Sequence, residues 1–168
     1  IKEARETLKY INYFRLSNYF EPFMVSKKRY EDGTTFEKVM RVYEFDRKLR
    51  SILLAALEEI EIALRASISN FHALKYGAQG YLNASSFEVH HNHNAFISKV
   101  KHLVEQNEDR EFVQHYNRKY QGTFPLWVVM ELFSFGTLAF FYKDMHNSDK
   151  KHIADKYYHC SSSELDNW

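Results

Sequence analysis

Apolar side chains recur at three- and four-residue steps through most of the chain, which is the spacing of an amphipathic helix. The longest such run starts after Thr34 and Glu37, a pair with the spacing of a capping box, and no helix breaker interrupts it before Gly77. This pattern predicts one long helix over about residues 35–76, which at 1.5 Å per residue would measure about 60 Å. Because a domain of this size is rarely so wide, we expect a kink or a break around residues 44–47.

A second strong pattern is the apolar segment that follows Thr123 and Pro125, two helix-start signals. It predicts a buried aromatic helix over about residues 125–143. The apolar spacing continues past Gly136, so we expect this glycine to mark close packing against a neighbouring element. Shorter amphipathic patterns predict further helices over about residues 2–20, 93–106, 109–120 and 148–157. The chain is therefore predicted to be all-α.

The composition supports one all-helical domain, residues 1–168. Aromatic residues make up 17% of the chain, but it has only five glycines and two prolines, and β-sandwiches and barrels need more turn residues. A chain of this length is expected to form a single domain. Ser161 and Glu164 have capping-box spacing close to the last residue, so we expect a C-terminal helical segment to follow and interpret the chain as a fragment.

Charge and cysteine content narrow the possible functions. A formal net charge of +1 excludes nucleic-acid binding by bulk charge, so any nucleic-acid site must be a local basic patch. The single cysteine, Cys160, excludes an internal disulfide framework and is typical of a reducing cytoplasm. No apolar run approaches the ~18 residues of a membrane span, so we predict a cytoplasmic protein without membrane association.

The long predicted helix carries a candidate catalytic group. Arg65 and His72 lie seven residues apart and therefore on one helix face, and Glu61 lies one turn before Arg65. A histidine that transfers the 2′-hydroxyl proton and an arginine that stabilises phosphate charge could cleave RNA without a metal, with Glu61 orienting the guanidinium. Arginine followed by histidine after four to six intervening residues is not a selective pattern, because Arg110 and His115 also match it. The alternative is a Glu61–Arg65 ion pair that only supports the helix.

Basic residues elsewhere are candidates for RNA contact. Lys27, Lys28 and Arg29 form a basic run in a polar loop, which could contact phosphates or simply keep the loop soluble. Arg50 is a fourth RNA-binding candidate. Three histidines, at positions 90, 91 and 93, could ligate zinc, but no cysteine or acidic cluster lies at a recognised spacing from them. We therefore predict no metal and no other cofactor.

Three segments of the sequence resemble a known family: YINYFRLSNYFEPF, VYEFDRKLRSILLAALEEIEIALRASIS and FPLWVVMELFSFGTLAFFYKDM. In order and spacing they resemble the signature blocks of the Abi-like (AbiD/AbiF) abortive-infection proteins of bacteria. The resemblance runs from about Tyr10 to Tyr157. The middle block is the most specific, through its residues Tyr43, Phe45, Asp46, Leu49, Arg50, Glu61 and Arg65.

The resemblance implies a HEPN-like helical bundle, related to the RNA-cleaving domains of type VI CRISPR effectors, and a role in phage defence with toxin–antitoxin behaviour. It also implies metal-independent endoribonuclease activity, an RNA or protein antitoxin as partner, and a homodimer or paired domain. Arg65 matches the family's arginine. The family's more typical Arg-Asn-x-x-x-His motif lies in a C-terminal helix that would follow Trp168, so the resemblance implies that this fragment lacks the main catalytic motif.

These inferences combine into one hypothesis. The full-length protein is a phage-defence protein that binds and cleaves RNA, in which Arg65 stabilises phosphate charge, Glu61 orients Arg65 and His72 acts as acid or base. The alternative is a non-catalytic helical module that binds RNA or a partner protein and uses the same helix as a packing surface.

Overall fold

The computed structural model describes residues 2–27 and 29–167, and the chain divides into two compact units, Ile1–Glu58 and Glu59–Trp168. Helices dominate the described part, which confirms the predicted all-α class, and no helix in it combines the length and apolarity of a membrane span. The α-helices are α1 Lys2–Tyr10, α2 Tyr13–Ser17, α3 Phe36–Tyr76, α4 His93–Gln106, α5 Glu111–Tyr120, α6 Leu126–Val129, α7 Phe135–Asp144, α8 Asn147–Ile153 and α9 Ser162–Asp166. Short 3₁₀ segments are Asn18–Phe23, Gly80–Leu82, Ala84–Ser86 and Met130–Leu132, and a π-helical turn covers Ala154–Tyr158.

The first unit begins with two short helices instead of the single helix expected over residues 2–20. The reason is Asn12, whose side chain accepts a hydrogen bond from the backbone N–H of Phe14 at 2.8 Å and so starts α2 as a new helix. Leu16 of α2 and Val39 of α3 are fully buried in this unit. The prediction of one continuous helix over residues 2–20 is therefore wrong, because α1 ends at Tyr10 and α2 begins at Tyr13.

A polar cluster and a hairpin complete the first unit. The Tyr19 hydroxyl donates to Asp46 Oδ2 at 2.6 Å, and Arg50 Nη2 lies 2.7 Å from the same carboxylate oxygen. This cluster ties the segment after α2 to helix α3. Two short antiparallel strands follow that segment, β1 Met24–Ser26 and β2 Arg29–Tyr30.

Helix α3 runs without interruption from Phe36 to Tyr76, in agreement with the predicted range of about 35–76. Its 41 residues include no glycine and no proline, and it ends where Gly77 adopts a positive φ of 85°. The expected interruption around residues 44–47 does not occur, because nothing in the local sequence removes a helical hydrogen bond there.

The second unit holds the larger core. Its fully buried side chains come from the end of α3, from α5 and from the segments between Leu126 and Ala154, and the largest are Ile68, Leu126, Met130, Leu138, Met145, Ile153 and His72. Helices α4 and α5 confirm the patterns over 93–106 and 109–120. The predicted helix over 148–157 is found as α8 and the π-helical turn that continues it.

The predicted aromatic helix over residues 125–143 is wrong as a single element. Helix α6 passes into a 3₁₀ turn that ends at Leu132, and α7 starts only at Phe135. Ser134 causes the restart, since its backbone is extended and its Oγ accepts a hydrogen bond from Thr137 N–H at 3.2 Å. Gly136 is not a close-packing point, because an added Cβ would meet only the Ser134 hydroxyl at 4.0 Å.

Replacement of the α7 cap tests this account. Ser134→Ala removes the acceptor for the Thr137 N–H, so we expect the free energy of unfolding to fall by about 1 kcal/mol. Urea unfolding followed by circular dichroism measures this change. Ser98→Ala, on the exposed side of α4, is the control and should change stability by less than about 0.5 kcal/mol. An equal effect of both substitutions would contradict the capping role.

Candidate functional site

Arg65 and Glu61 form an ion pair one turn apart on α3, as the sequence predicts. Arg65 Nη2 also donates a hydrogen bond to the backbone carbonyl of Phe133 at 3.2 Å. The Arg65 side chain is only 14% exposed, whereas that of Glu61 is 32% exposed. The second terminal nitrogen of Arg65, Nη1, is buried and has no hydrogen-bond partner within the described residues. Two groups therefore hold Arg65: the Glu61 carboxylate on its own helix and the backbone carbonyl of Phe133, just before α7.

The Phe133 carbonyl is available to Arg65 because the apolar segment is interrupted. In an uninterrupted helix this carbonyl would accept the N–H of Thr137, four residues later. That N–H is bonded to the Ser134 side chain instead. The local sequence after α6 thus leaves one carbonyl oxygen without its helical partner, and the guanidinium of Arg65 takes that place.

His72 lies in the interior of the second unit, surrounded by aromatic rings. Its relative exposure is 0%, and its ring centroid lies 4.8 Å from that of Tyr76, 5.3 Å from that of Phe141 and 5.6 Å from that of Phe87. Neither ring nitrogen has a hydrogen-bond partner in the described part of the chain. Burial lowers the pKa of His72 to about 4, so the imidazole is neutral at pH 7. In this conformation an RNA phosphate has no access to it.

Gly80 forms part of the wall around His72. A Cβ added at Gly80 would lie 2.4 Å from Tyr76 Cβ and 3.3 Å from His72 Cε1. The first of these distances is too short for any side chain, so the chain segment after α3 passes its end more closely than a larger residue would allow.

A buried carboxylate that the sequence analysis did not single out lies near the end of α3. The Asp149 side chain, in the first turn of α8, is 2% exposed and accepts a hydrogen bond from the Tyr76 hydroxyl at 2.6 Å. Lys75 forms an ion pair with the same carboxylate. Burial raises the pKa of Asp149, but the hydrogen bonds from Lys75 and Tyr76 outweigh burial, so its pKa lies below the ordinary value. No sequence signal links residues more than seventy positions apart.

The four predicted RNA-contacting residues have different surroundings. Lys27 and Arg29 are exposed at the turn of the β1–β2 hairpin and form no ion pair with any described residue. Lys28, between them, lies outside the described residues. Arg50 is half-exposed but engaged, because it pairs with Asp46 and its Nη2 lies 3.4 Å from the Tyr19 hydroxyl. The free cations at the hairpin are thus the better placed for a phosphate.

The three histidines considered as possible zinc ligands, at positions 90, 91 and 93, contact other protein groups instead. His91 Nδ1 donates to Asp144 Oδ2 at 2.7 Å, and His93 Nε2 donates to the Leu82 carbonyl at 3.0 Å. His90 Nε2 lies 3.6 Å from the other carboxylate oxygen of Asp144. Within residues 2–27 and 29–167, no three His, Cys, Asp or Glu side chains are arranged to hold a metal ion. His90 and His91 instead hold the loop before α4 to the end of α7, and His93 holds the start of α4 to the 3₁₀ segment that ends at Leu82.

An all-helical chain with a partly buried Glu–Arg pair on its longest helix fits the family suggested by its sequence blocks. The family model for Abi-like protein matches residues 6–168. The chain therefore belongs to the Abi-like family, and at the level of that family it is an abortive-infection, phage-defence protein. No curated protein and no solved structure matches it.

The buried imidazole of His72 predicts a specific acid sensitivity. Its pKa is about 4 in the folded protein and about 6.5 when unfolded, so the unfolded chain binds the proton more tightly. The stability that depends on neutral His72 is complete above about pH 6.5 and is lost as the pH falls towards 4, a change of roughly 3 kcal/mol. Urea unfolding of His72→Leu between pH 7 and 4.5 should show a shallower loss than the wild type.

The control for this experiment is His102→Leu, which replaces an exposed histidine on α4. It should retain the wild-type pH dependence. The interpretation of His72 fails if its replacement leaves the slope of stability against pH unchanged.

Proposed function

We propose that this Abi-like protein acts in phage defence by binding RNA, and that the β1–β2 hairpin of its first unit makes the phosphate contacts. The observation that carries the proposal is the pair of exposed cations at the hairpin turn, Lys27 and Arg29, neither of which forms an ion pair with a residue that the structure describes. Cations free of carboxylate partners can replace the counterions of an RNA backbone. The HEPN resemblance of the sequence blocks supports RNA as the ligand.

The surroundings of the hairpin also suit single-stranded RNA. Tyr30 and Val25 are exposed beside the basic turn, and the Lys38 ammonium lies 5.1 Å from the centre of the Phe23 ring. Exposed aromatic rings next to cations are the usual combination for binding unpaired bases and their phosphates. Charge distribution agrees, since residues 1–58 carry twelve Lys and Arg against nine Asp and Glu, whereas the remaining chain has a small acidic excess.

Metal-independent RNA cleavage is a second candidate function, and one observation favours it. Glu61 and the Phe133 carbonyl fix the Arg65 guanidinium, and the Arg65 side chain keeps 14% of its surface exposed; because Nη1 itself is buried, this candidate requires a change of conformation that admits a phosphate. In this candidate, the 2′-oxygen attacks phosphorus, the bond to the 5′-oxygen breaks, and Arg65, oriented by Glu61, stabilises the negative charge of the transition state. Because His72 is neutral and buried, we propose that it packs the core and that other groups transfer the protons.

Other partners remain predictions. An antitoxin of RNA or protein, a homodimer and a cytoplasmic location follow from the family resemblance and composition. The alternative is a non-catalytic helical module that binds RNA or a partner protein and uses the long helix as a packing surface. It predicts that RNA or a protein is retained without strand scission.

RNA binding by the hairpin can be tested with Lys27→Gln combined with Arg29→Gln. Loss of two phosphate contacts should weaken binding of a labelled single-stranded RNA by roughly tenfold and lower the slope of log affinity against log salt by roughly one to two. Fluorescence anisotropy at several salt concentrations measures both quantities. The matched control, Arg118→Gln with Lys119→Gln on α5, removes the same charge from an exposed site and should change affinity by less than about twofold. Equal losses in both double variants would contradict a hairpin site.

Cleavage is tested separately, with full-length protein, structured and single-stranded RNA, and EDTA. The second candidate predicts products with 2′,3′-cyclic phosphate ends, and their formation should fall by at least roughly a hundredfold in Arg65→Lys, which keeps the charge but loses the planar fork. Circular dichroism of the variant checks that it remains folded. Products formed at the wild-type rate by folded Arg65→Lys would rule out Arg65 as a catalytic residue, and absence of products from wild-type protein would leave RNA binding alone.

A further inference from the structure

A groove between α4 and α7 in the second unit has no role in the account above. It encloses about 220 Å³, and its apolar part is formed by Phe96, Phe140 and Phe141. The Phe140 side chain is 64% exposed although it belongs to a strongly apolar helix. A large aromatic ring left at the edge of an apolar groove is a surface on which a planar ligand can stack.

One end of the groove carries a fixed carboxylate. Asp144 accepts a hydrogen bond from His91 Nδ1 at 2.7 Å, and its backbone carbonyl accepts the N–H of Glu88 at 2.9 Å. The adjacent bridge between Phe87 and Met145 holds the same corner. His90 Nε2 lies 3.6 Å from Oδ1, the other oxygen of Asp144. The Asp144 side chain is still 26% exposed and each carboxylate oxygen can accept a second hydrogen bond, so the carboxylate can accept from a ligand.

The imidazole that bonds to this carboxylate, His91, is almost completely buried. The His91 side chain is 4% exposed and lines the groove, and its Nε2 has no hydrogen-bond partner among the described residues. Because that nitrogen is buried, a ligand in the groove does not reach it. The contribution of His91 to the groove is the hydrogen bond from Nδ1 that fixes the Asp144 carboxylate.

A cation completes the lining of the groove. Lys99 of α4 lines it and forms no ion pair with any described residue. The groove therefore combines aromatic surface, a hydrogen-bond-accepting carboxylate and a free ammonium group. A nucleotide presents the matching features, which are a planar base, N–H donors on the base edge and an anionic phosphate.

We infer that this groove binds one unstacked guanine nucleotide of an RNA strand, with the base on Phe140, its N–H edge at Asp144 and a phosphate at Lys99. Guanine is the preferred base because its N1–H and N2–H₂ donors are adjacent and match the two oxygens of a carboxylate, whereas adenine, cytosine and uracil lack that pair of donors. The inference deepens and rests on the RNA binding proposed above, but the groove and the hairpin are separate sites.

Guanosine 5′-monophosphate is the probe for the groove, and isothermal titration or ligand-detected NMR measures its binding. Phe140→Ala and Lys99→Gln should each weaken it by roughly fivefold or more. Both residues are exposed, so neither change is expected to unfold the protein. Lys101→Gln is the matched control, because it removes the same charge from the same helix at an exposed position outside this groove and should leave the affinity unchanged. Asp144→Asn should abolish the preference for the guanine nucleotide over the uridine and cytidine nucleotides.

The outcomes separate this inference from the proposed function. Binding of guanosine monophosphate that responds to Phe140 and Lys99 but not to Lys101 supports the groove. The inference is overturned if wild-type protein binds RNA through the hairpin but does not bind the mononucleotide, or binds all four nucleotides equally. Mononucleotide binding at the groove without any retention of RNA would contradict the proposed RNA binding while the groove site stands.

Discussion

In the second unit the Arg65 guanidinium is largely removed from solvent and therefore needs protein oxygen atoms that accept its hydrogen bonds. Removing a guanidinium from water costs several kcal/mol unless acceptors replace the lost hydration. For Arg65 the acceptors are the Glu61 carboxylate, one turn before it, and the Phe133 carbonyl across the core. The second acceptor exists only because Ser134 ends the preceding helical segment and starts α7. The interruption of the aromatic segment therefore supplies one of the two acceptors that allow the Arg65 guanidinium to lie largely out of solvent.

Sequence patterns predicted the elements that depend on interactions between residues close together in the sequence. Helix α3 follows from an amphipathic repeat without glycine or proline, and the Glu61–Arg65 pair follows from four-residue spacing on that helix. The restart at Ser134 was missed because the apolar residues on both sides continue the helical spacing, although a serine three positions before Thr137 is a possible cap signal. Hydrophobic periodicity reports which face is buried, and it does not report whether the backbone stays continuous.

The candidate site was predictable only in part, because burial is a property of the assembled core. Helical spacing placed Arg65 and His72 on one face but could not show that one contacts a carbonyl and the other is enclosed by Tyr76, Phe87 and Phe141. The Asp149 carboxylate, which binds Lys75 and Tyr76, was not predicted, since that contact joins helices far apart in sequence. Two ion pairs join residues of the family's middle block, Asp46 with Arg50 and Glu61 with Arg65, which makes these residues informative about architecture as well as chemistry.

Gly80 controls how dry the interior beside α3 remains. Because even a methyl group there would collide with Tyr76 Cβ, a larger residue would force the segment after α3 away from the helix. Water could then enter next to His72, whose two nitrogens have no partner within the described chain and would be readily hydrated. Once hydrated, the imidazole would regain much of its ordinary basicity. The absence of a side chain at position 80 thus permits the close packing that keeps the His72 imidazole out of water and lowers its pKa.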